Sequence, residues 1–393
     1  MRTSVVLAVI LAGCSNLLGI SNPVAGRDGG IDAVPGDGHP GGRDGAPDVA
    51  QDAAGDSGSI DGPCVAPPSF SSPEIYQLSG TPGLVALGDF DGDGNQDVAI
   101  ALTSKVLILH GMASGTLGRP QDVATAADGV LTDDFDNDGL ADLALWTVGG
   151  SAVVVRRQDA ANRGMFLDEQ PLPNTFGNIR QVKQGLLDGN FIADLIVEDD
   201  AELRVYTSNQ LTKGTFTKGG QIGLAGDHLL QVDDFNDLGG DDIALVTASG
   251  SIAIAPQTNG HFDPPGQIVT ATAGAVAAFG RFDDDDAIDL VVATVAGGEV
   301  YRQSAPGNVP AFARVAGTIA GVTGSALQVV DVDQNGLDDV VVAGGIVQQC
   351  SPGVFSALVP LSAARTTVFR DLDRNSKPEM LRIVDRTLEV YRQ

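Results

Sequence analysis

DFDGDGNQD at residues 89–97 runs straight into the apolar stretch VAIAL. It sets Asp89, Asp91, Asp93 and Asp97 at positions 1, 3, 5 and 9 of a short loop. Its glycines let the loop curl tightly enough for alternate carboxylates to converge on one cation. The carbonyl of Asn95, at position 7, is a further oxygen donor. Hard oxygen ligands without sulfur or imidazole favour calcium over zinc or copper.

The loop recurs six times. DFDNDGLAD at 134–142 keeps Asp134, Asp136, Asp138 and Asp142. LLDGNFIAD at 186–194 keeps only Asp188, Asn190 and Asp194, and DFNDLGGDD at 234–242 has Leu238 at position 5. RFDDDDAID at 281–289 opens on Arg281 but retains Asp283, Asp285 and Asp289. DVDQNGLDD at 331–339 offers Asp331, Asp333, Asn335 and Asp339; DLDRNSKPE at 371–379 offers Asp371, Asp373, Asn375 and Glu379. Successive copies start 40 to 52 residues apart, a period that belongs to solenoids and propellers.

Each unit has one grammar. A short apolar strand leads into the acidic loop, and the strongest strand follows, such as DVAIAL at 97–102 or DLALWTV at 142–148. A tight turn and an alternating strand come next, for example KVLILH at 105–110. A weaker stretch closes the unit, anchored by Leu117, Phe166, Phe216, Phe262, Phe312 or Phe355. Four short alternating strands describe an antiparallel sheet that must stack against its neighbours to bury both faces. Trp146, Met165 and the phenylalanines are expected to pack between sheets. The seventh unit ends one strand short at Gln393, and PSFSSPEIYQLSG at 68–80, anchored by Phe70, can supply the missing strand. The expectation is an all-β, seven-bladed β-propeller over 67–393, with an N-terminal strand completing the last blade.

The flanking sequence adds two segments. Residues 1–14, MRTSVVLAVILAGC, carry Arg2 and a short apolar core, the shape of an export signal rather than a transmembrane helix. Leu11-Ala12-Gly13-Cys14 resembles the lipobox of bacterial lipoproteins. That resemblance implies a signal peptide over 1–13, a lipid on Cys14 and, with Ser15 next and the enteric sorting rule, an outer-membrane lipoprotein. Residues 14–66 read as a disordered tether: positions 21–63 hold eleven Gly and eight Asp and almost no large apolar residue. Cys64 and Cys350 precede the anchors Phe70 and Phe355 by nearly equal offsets. They are expected to form a disulfide in an oxidising compartment.

The loops and their flanks resemble the FG-GAP/VCBS repeat family, which forms the integrin-alpha propeller and many bacterial surface propellers. In that family the loop joins the first and second strands of a blade and holds calcium. The resemblance implies sites at Asp89, Asp91, Asp93, Asn95 and Asp97, and at Asp134, Asp136, Asp138 and Asp142 with the carbonyl of Leu140. It extends to the three retained acids of loop five and to loops six and seven; loops three and four are degenerate.

The formal charge of −28 disfavours a nucleic-acid partner. The seven loops hold 26 of the 51 acids. Four scattered histidines make no zinc-enzyme motif, and neither a nucleophile elbow nor a phosphate loop occurs. The expected function is a calcium-binding, non-catalytic propeller at the cell envelope that binds protein or carbohydrate in adhesion or scaffolding. A lectin-like module and an enzyme of envelope polysaccharides are the alternatives.

Overall fold

The computed structural model describes residues 68–393, apart from 223–225, 271–275, 286, 306, 324–326, 374 and 376. The signal and tether segments, Cys14 and Cys64 lie outside the described residues. Seven four-stranded antiparallel sheets form the blades of a propeller, and no helix occurs among the described residues. Blade one is Pro82–Gly88, Asp97–Leu102, Lys105–Gly111 and Leu117–Val123, each strand hydrogen-bonded to the next. Blade seven pairs Thr366–Arg370, Glu379–Val384 and Thr387–Tyr391 with Glu74–Gln77 from the other end of the chain. Ser71 N–H donates to Arg392 O at 2.8 Å, so the two ends meet.

Burial follows position in the blade. Every residue of Asp97–Leu102 and of Asp142–Trp146 is buried, because neighbouring blades cover both faces of an inner strand. This explains why these strands read as unbroken apolar runs rather than alternating ones. Outer strands are exposed, as in Phe216–Ile222, and carry Pro120, Pro171 and Pro360, which deny an edge some of its donors.

The second residue of each acidic loop seals the ring. Phe90, Phe135, Leu187, Phe235, Phe282, Val332 and Leu372 are each at most 2% exposed. They join the apolar clusters of the next blade's anchor. Phe90 lies 6.0 Å from Phe166, Phe135 6.0 Å from Phe216, and Phe282 6.1 Å from Phe355, ring centre to ring centre. Leu372 of blade seven shares its cluster with Leu117 of blade one, which closes the circle. Trp146 packs inside, as its sequence context suggests, but Met165 is 58% exposed on a connection between strands. In blades four and six the anchors Phe262 and Phe355 sit in short accessory hairpins, not in the fourth strand itself. The turn between the second and third strands of blade five is Val295–Ala296, and Gly297 and Gly298 already pair as strand.

The closing acid of each loop is the hinge pin of its blade. Asp97, Asp142, Asp194, Asp242, Asp289, Asp339 and Glu379 are all 0% exposed. Asp97 Oδ2 accepts the N–H of Phe90 at 2.7 Å and Oδ1 accepts that of Gly111 at 2.7 Å. The same two bonds, to the second loop residue and to the end of the third strand, recur at Asp142, Asp194, Asp289 and Asp339. One carboxylate thus satisfies two backbone donors that have no ladder partner. Asp194→Ala should leave both stranded, at a cost on the order of 2–5 kcal/mol. Asp188→Ala in the same loop removes only local turn bonds and should cost far less. Equal losses of melting temperature in the two variants would show that the closing acid is no clamp.

Candidate metal centres on one face

All seven acidic loops join first to second strands and therefore emerge on one face, together with the connections from third to fourth strands. Each loop is overlapped from the next blade. Arg163 of blade two lies against Gly92, whose φ of +73° and missing Cβ make room for it. Gly260 of blade four rests on the backbone of Asp188, Asn308 of blade five accepts from Asn236 at 3.3 Å, and Gln393 donates to Val332 O at 2.9 Å.

Loop curvature comes from left-handed residues at positions 4 and 6. Gly92 and Gly94 have φ of +73° and +90°, and Asn137 and Gly139 have +55° and +83°. In loop three Phe191 occupies position 6 at +61°, a conformation that costs a side-chain-bearing residue on the order of 1–2 kcal/mol.

Four loops gather three acids with ligand atoms within 4.8 Å of one another. They are Asp89, Asp91 and Asp93; Asp134, Asp136 and Asp142; Asp331, Asp333 and Asp339; and Asp371, Asp373 and Glu379. Asp138 stands outside the second group; its Oδ1 accepts the Leu140 N–H at 3.0 Å. Asn95 turns its amide to Asp93 at 2.9 Å. Asn335 donates its amide to Gln349 O at 2.6 Å and accepts from Leu337, so its side chain stitches strands together. Asn375 Oδ1 accepts the Lys377 N–H at 2.6 Å. Asp283, Asp285 and Asp289 do not converge as a trio.

Donors from the protein itself occupy the degenerate loops. In loop three Asn190 Nδ2 donates to Asp188 Oδ2 at 2.9 Å, and in loop four Asn236 Nδ2 donates to Asp242 Oδ1 at 3.1 Å. In loop five Arg302 sits 3.3 Å from Asp283 Oδ2. Arg302 lies on the third strand, one residue before the N–H that holds Asp289. The equivalent residues elsewhere are His110, 3.4 Å from Asp91; Arg157, 2.8 Å from Asp136; and Gln348, 2.9 Å from Asp333. Sequence reasoning did not join these residues to the loops. The available signal was a similar offset from the closing acid, 13 to His110 and to Arg302 and 15 to Arg157, though only 9 to Gln348.

Loop two retains a demand for a cation. Asp136 is 4% exposed; Arg157 takes its Oδ2, while its Oδ1 is buried without a hydrogen-bond partner. Glu379 Oε1 in loop seven is likewise buried and unpartnered. An all-oxygen trio with an orphaned buried oxygen fits a hard cation such as calcium. Burial pushes Asp142 and Asp339 up to about 8, and repulsion from Asp136 and Asp333 adds to it, against backbone N–H bonds that pull downward. Asp194 and Asp242 rise to about 7 and Asp289 to about 6, again mainly through burial.

No family model matches this chain, and no curated protein matches it in sequence. Solved structures do match in fold. A lectin from Agrocybe aegerita, described as recognising non-reducing terminal N-acetylglucosamine, aligns at 18% identity with a TM-score of 0.57, over 73% of this chain and 81% of its own. The BBS1N chain solved in complex with ARL6DN aligns at 14% identity and TM-score 0.56 in a mercury-soaked crystal, and at 15% and 0.55 in a lead-soaked one. Each covers 82% of this chain and 96% of that chain. At these identities the likeness extends to the β-propeller fold.

Proposed function

We propose that this chain is a calcium-stabilised, non-catalytic propeller that binds a protein partner through the face carrying its acidic loops, displayed from a bacterial cell envelope. The observation behind the choice of face is where apolar side chains are left in water. Of eleven exposed large apolar residues among the described residues, eight lie on acidic loops or on the third-to-fourth connections beside them. The most exposed of these are Leu211 at 94%, Phe191 at 81% and Leu238 at 63%, all in blades three and four. These are the blades whose loops have lost acids. Apolar tips set in an acidic surround suit a partner presenting apolar side chains within a basic surface. Replacing Phe191, Leu211 and Leu238 together by Ser should abolish capture of a cross-linkable envelope partner, while Val148→Ser with Val295→Ser on the opposite face should leave it intact. Equal capture by both variants would overturn the assignment of the face.

A lectin-like reading has one observation of its own: a cleft between blades five and six lined by Arg302, Thr318, Phe355 and Ser356, an apolar wall beside polar groups. Specific retention on a glycan array, lost on Phe355→Ala, would favour it over protein binding.

Calcium supplies the countercharge that the clustered acids lack, and it stabilises by binding the folded state alone. The sign of the pH effect follows from the raised closing acids. An acid pushed from 3.8 to about 8 on folding, as Asp142 is, binds protons more tightly in the folded than in the unfolded chain. The metal-free protein therefore loses stability as pH rises between about 4 and 8. Calcium must displace those protons, so its stabilisation grows across the same window. Melts of metal-stripped protein should fall from about pH 5 to pH 8 and recover with calcium, with the recovery blunted by Asp136→Ala more than by Asp188→Ala. No response to calcium at about pH 8 would remove the cation from this reading and leave the acids as turn formers.

Envelope display rests on the residues around Cys14, and the cysteine pair belongs to the same oxidising setting. Cys350 lies partly buried on Gln349–Ser351, beside the anchor strand that carries Phe355. Peptide mapping of the exported protein should find a lipid on Cys14, absent in Cys14→Ser, and a peptide linking Cys64 to Cys350. An unmodified Cys14 in membrane fractions would defeat the anchor, and two alkylatable thiols would defeat the bridge.

A further inference from the structure

His110 closes the third strand of blade one and faces the acidic loop from the side. Its Nδ1 lies 3.2 Å from Asp97 Oδ2 and 3.4 Å from Asp91 Oδ2, and the three ligand atoms lie within 4.8 Å of one another. Its Nε2 lies 3.0 Å from Gln121 Oε1. Gln121 is fixed as an acceptor on that side, because its own amide N–H donates to Gly164 O of the next blade. The ring therefore has acceptors at both nitrogens, and a neutral imidazole has one proton for the two. With that proton directed to Gln121, Nδ1 points a lone pair at two carboxylate oxygens. In that tautomer Nδ1 and the two carboxylate oxygens together offer three ligand atoms to one cation, whereas an imidazolium donates to the carboxylates.

We propose that Asp91, Asp97 and His110 form a site for a borderline transition-metal dication such as zinc, distinct in chemistry from the all-oxygen loops. Calcium takes oxygen ligands, whereas imidazole nitrogen with carboxylate is a zinc donor set. The spacing suits the smaller ion. Metal–ligand bonds of about 2.0–2.1 Å in tetrahedral geometry place neighbouring ligand atoms about 3.3 Å apart, between the two nitrogen–oxygen distances here. The fourth position is left to water. Gln121, on the fourth strand of the same blade and itself held by Gly164 O of the next, acts as a positioning residue, holding the tautomer and the ring plane as the outer partners of ligating histidines do. Asp91 is common to this trio and to Asp89, Asp91 and Asp93. The inference deepens the reading of loop one as a cation site, but it stands on the imidazole rather than on the oxygen cage.

The test is titration of the full chain with zinc ion alone, in buffer already saturated with calcium, paired with the visible spectrum of the cobalt-substituted protein. One equivalent of zinc should bind per chain, and cobalt should give the intense bands of a tetrahedral site. His110→Ala should weaken that equivalent by at least about 100-fold and His110→Gln similarly, whereas Gln121→Ala should weaken it by about 10- to 100-fold. His228→Ala should change nothing. The calcium-dependent rise in melting temperature, kept in His110→Ala, shows that the variant folds and separates this site from the calcium reading. Zinc binding that is absent, or present but indifferent to His110→Ala and His110→Gln, overturns the proposal, as does an octahedral cobalt spectrum. Loss of the calcium response with the zinc equivalent retained would sink the calcium reading alone.

Discussion

A carboxylate buried beyond the reach of water, accepting two backbone N–H groups, holds five of the seven blades to their own loops. The bond from the second loop residue fixes where that residue's apolar side chain points. The bond from the end of the third strand fixes how far that strand extends. Both are made at Asp97, Asp142, Asp194, Asp289 and Asp339. Because Phe90, Phe135 and Phe282 are held this way, they reach the anchors of the following blades. The contact between blades therefore depends on a polar interaction within one of them. The remaining acids of the loop are released from this duty, and they are the ones that vary.

What varies is the donor set against the acids, neutral or charged. A cluster of carboxylates curled into nine residues needs donors, and the fold provides a place for them at the end of the third strand and at loop position 3 or 5. An amide serves in Asn190 and Asn236, a guanidinium in Arg157 and Arg302, and a primary amide again in Gln348. A metal ion is one more member of that series. The blades differ in how much of the demand their own side chains meet. Asp136 Oδ1 marks a place where an arginine meets only half of it.

The ring was legible in the sequence because its signal is periodic. Seven loops in a fixed frame, the missing strand after LEVYRQ and the spare strand before residue 80 specify the closure, which the pairing of Glu74–Gln77 with Thr387–Tyr391 shows directly. The convergence of acids within loops two, six and seven was also readable, since alternate positions on a tight turn project to one side. The double role of the closing acid was not. From sequence Asp97 and Asp142 look like ligands, and nothing local shows that one oxygen of each meets the backbone N–H seven residues before it and the other an N–H 14 or 16 residues after it. The donors opposite the acids were hidden for the same reason. His110 and Arg157 sit at the ends of alternating strands, where a polar residue ordinarily faces water. Met165 shows the converse error: an apolar residue beside a buried anchor was given the anchor's environment.

The strand that completes blade seven also sets how the ring answers to mechanical load. Glu74–Gln77 runs antiparallel to Thr387–Tyr391 at the outer edge, and its N-terminal end lies beside Arg392 on the face of the acidic loops. Tension drawn along the chain that leads into residue 68, away from that face, lies along the strand. All four pairs between the two strands then bear it together, in shear, rather than parting one after another. A pull directed outward from the edge would instead open the same strand like a zip, beginning at the Ser71–Arg392 bond and passing to Glu74 and Val390. The ring is consequently strong to force along its axis and weak to force across its rim. Because this closure joins the two ends of the chain, its failure would leave six complete blades and one exposed edge at Thr387–Tyr391.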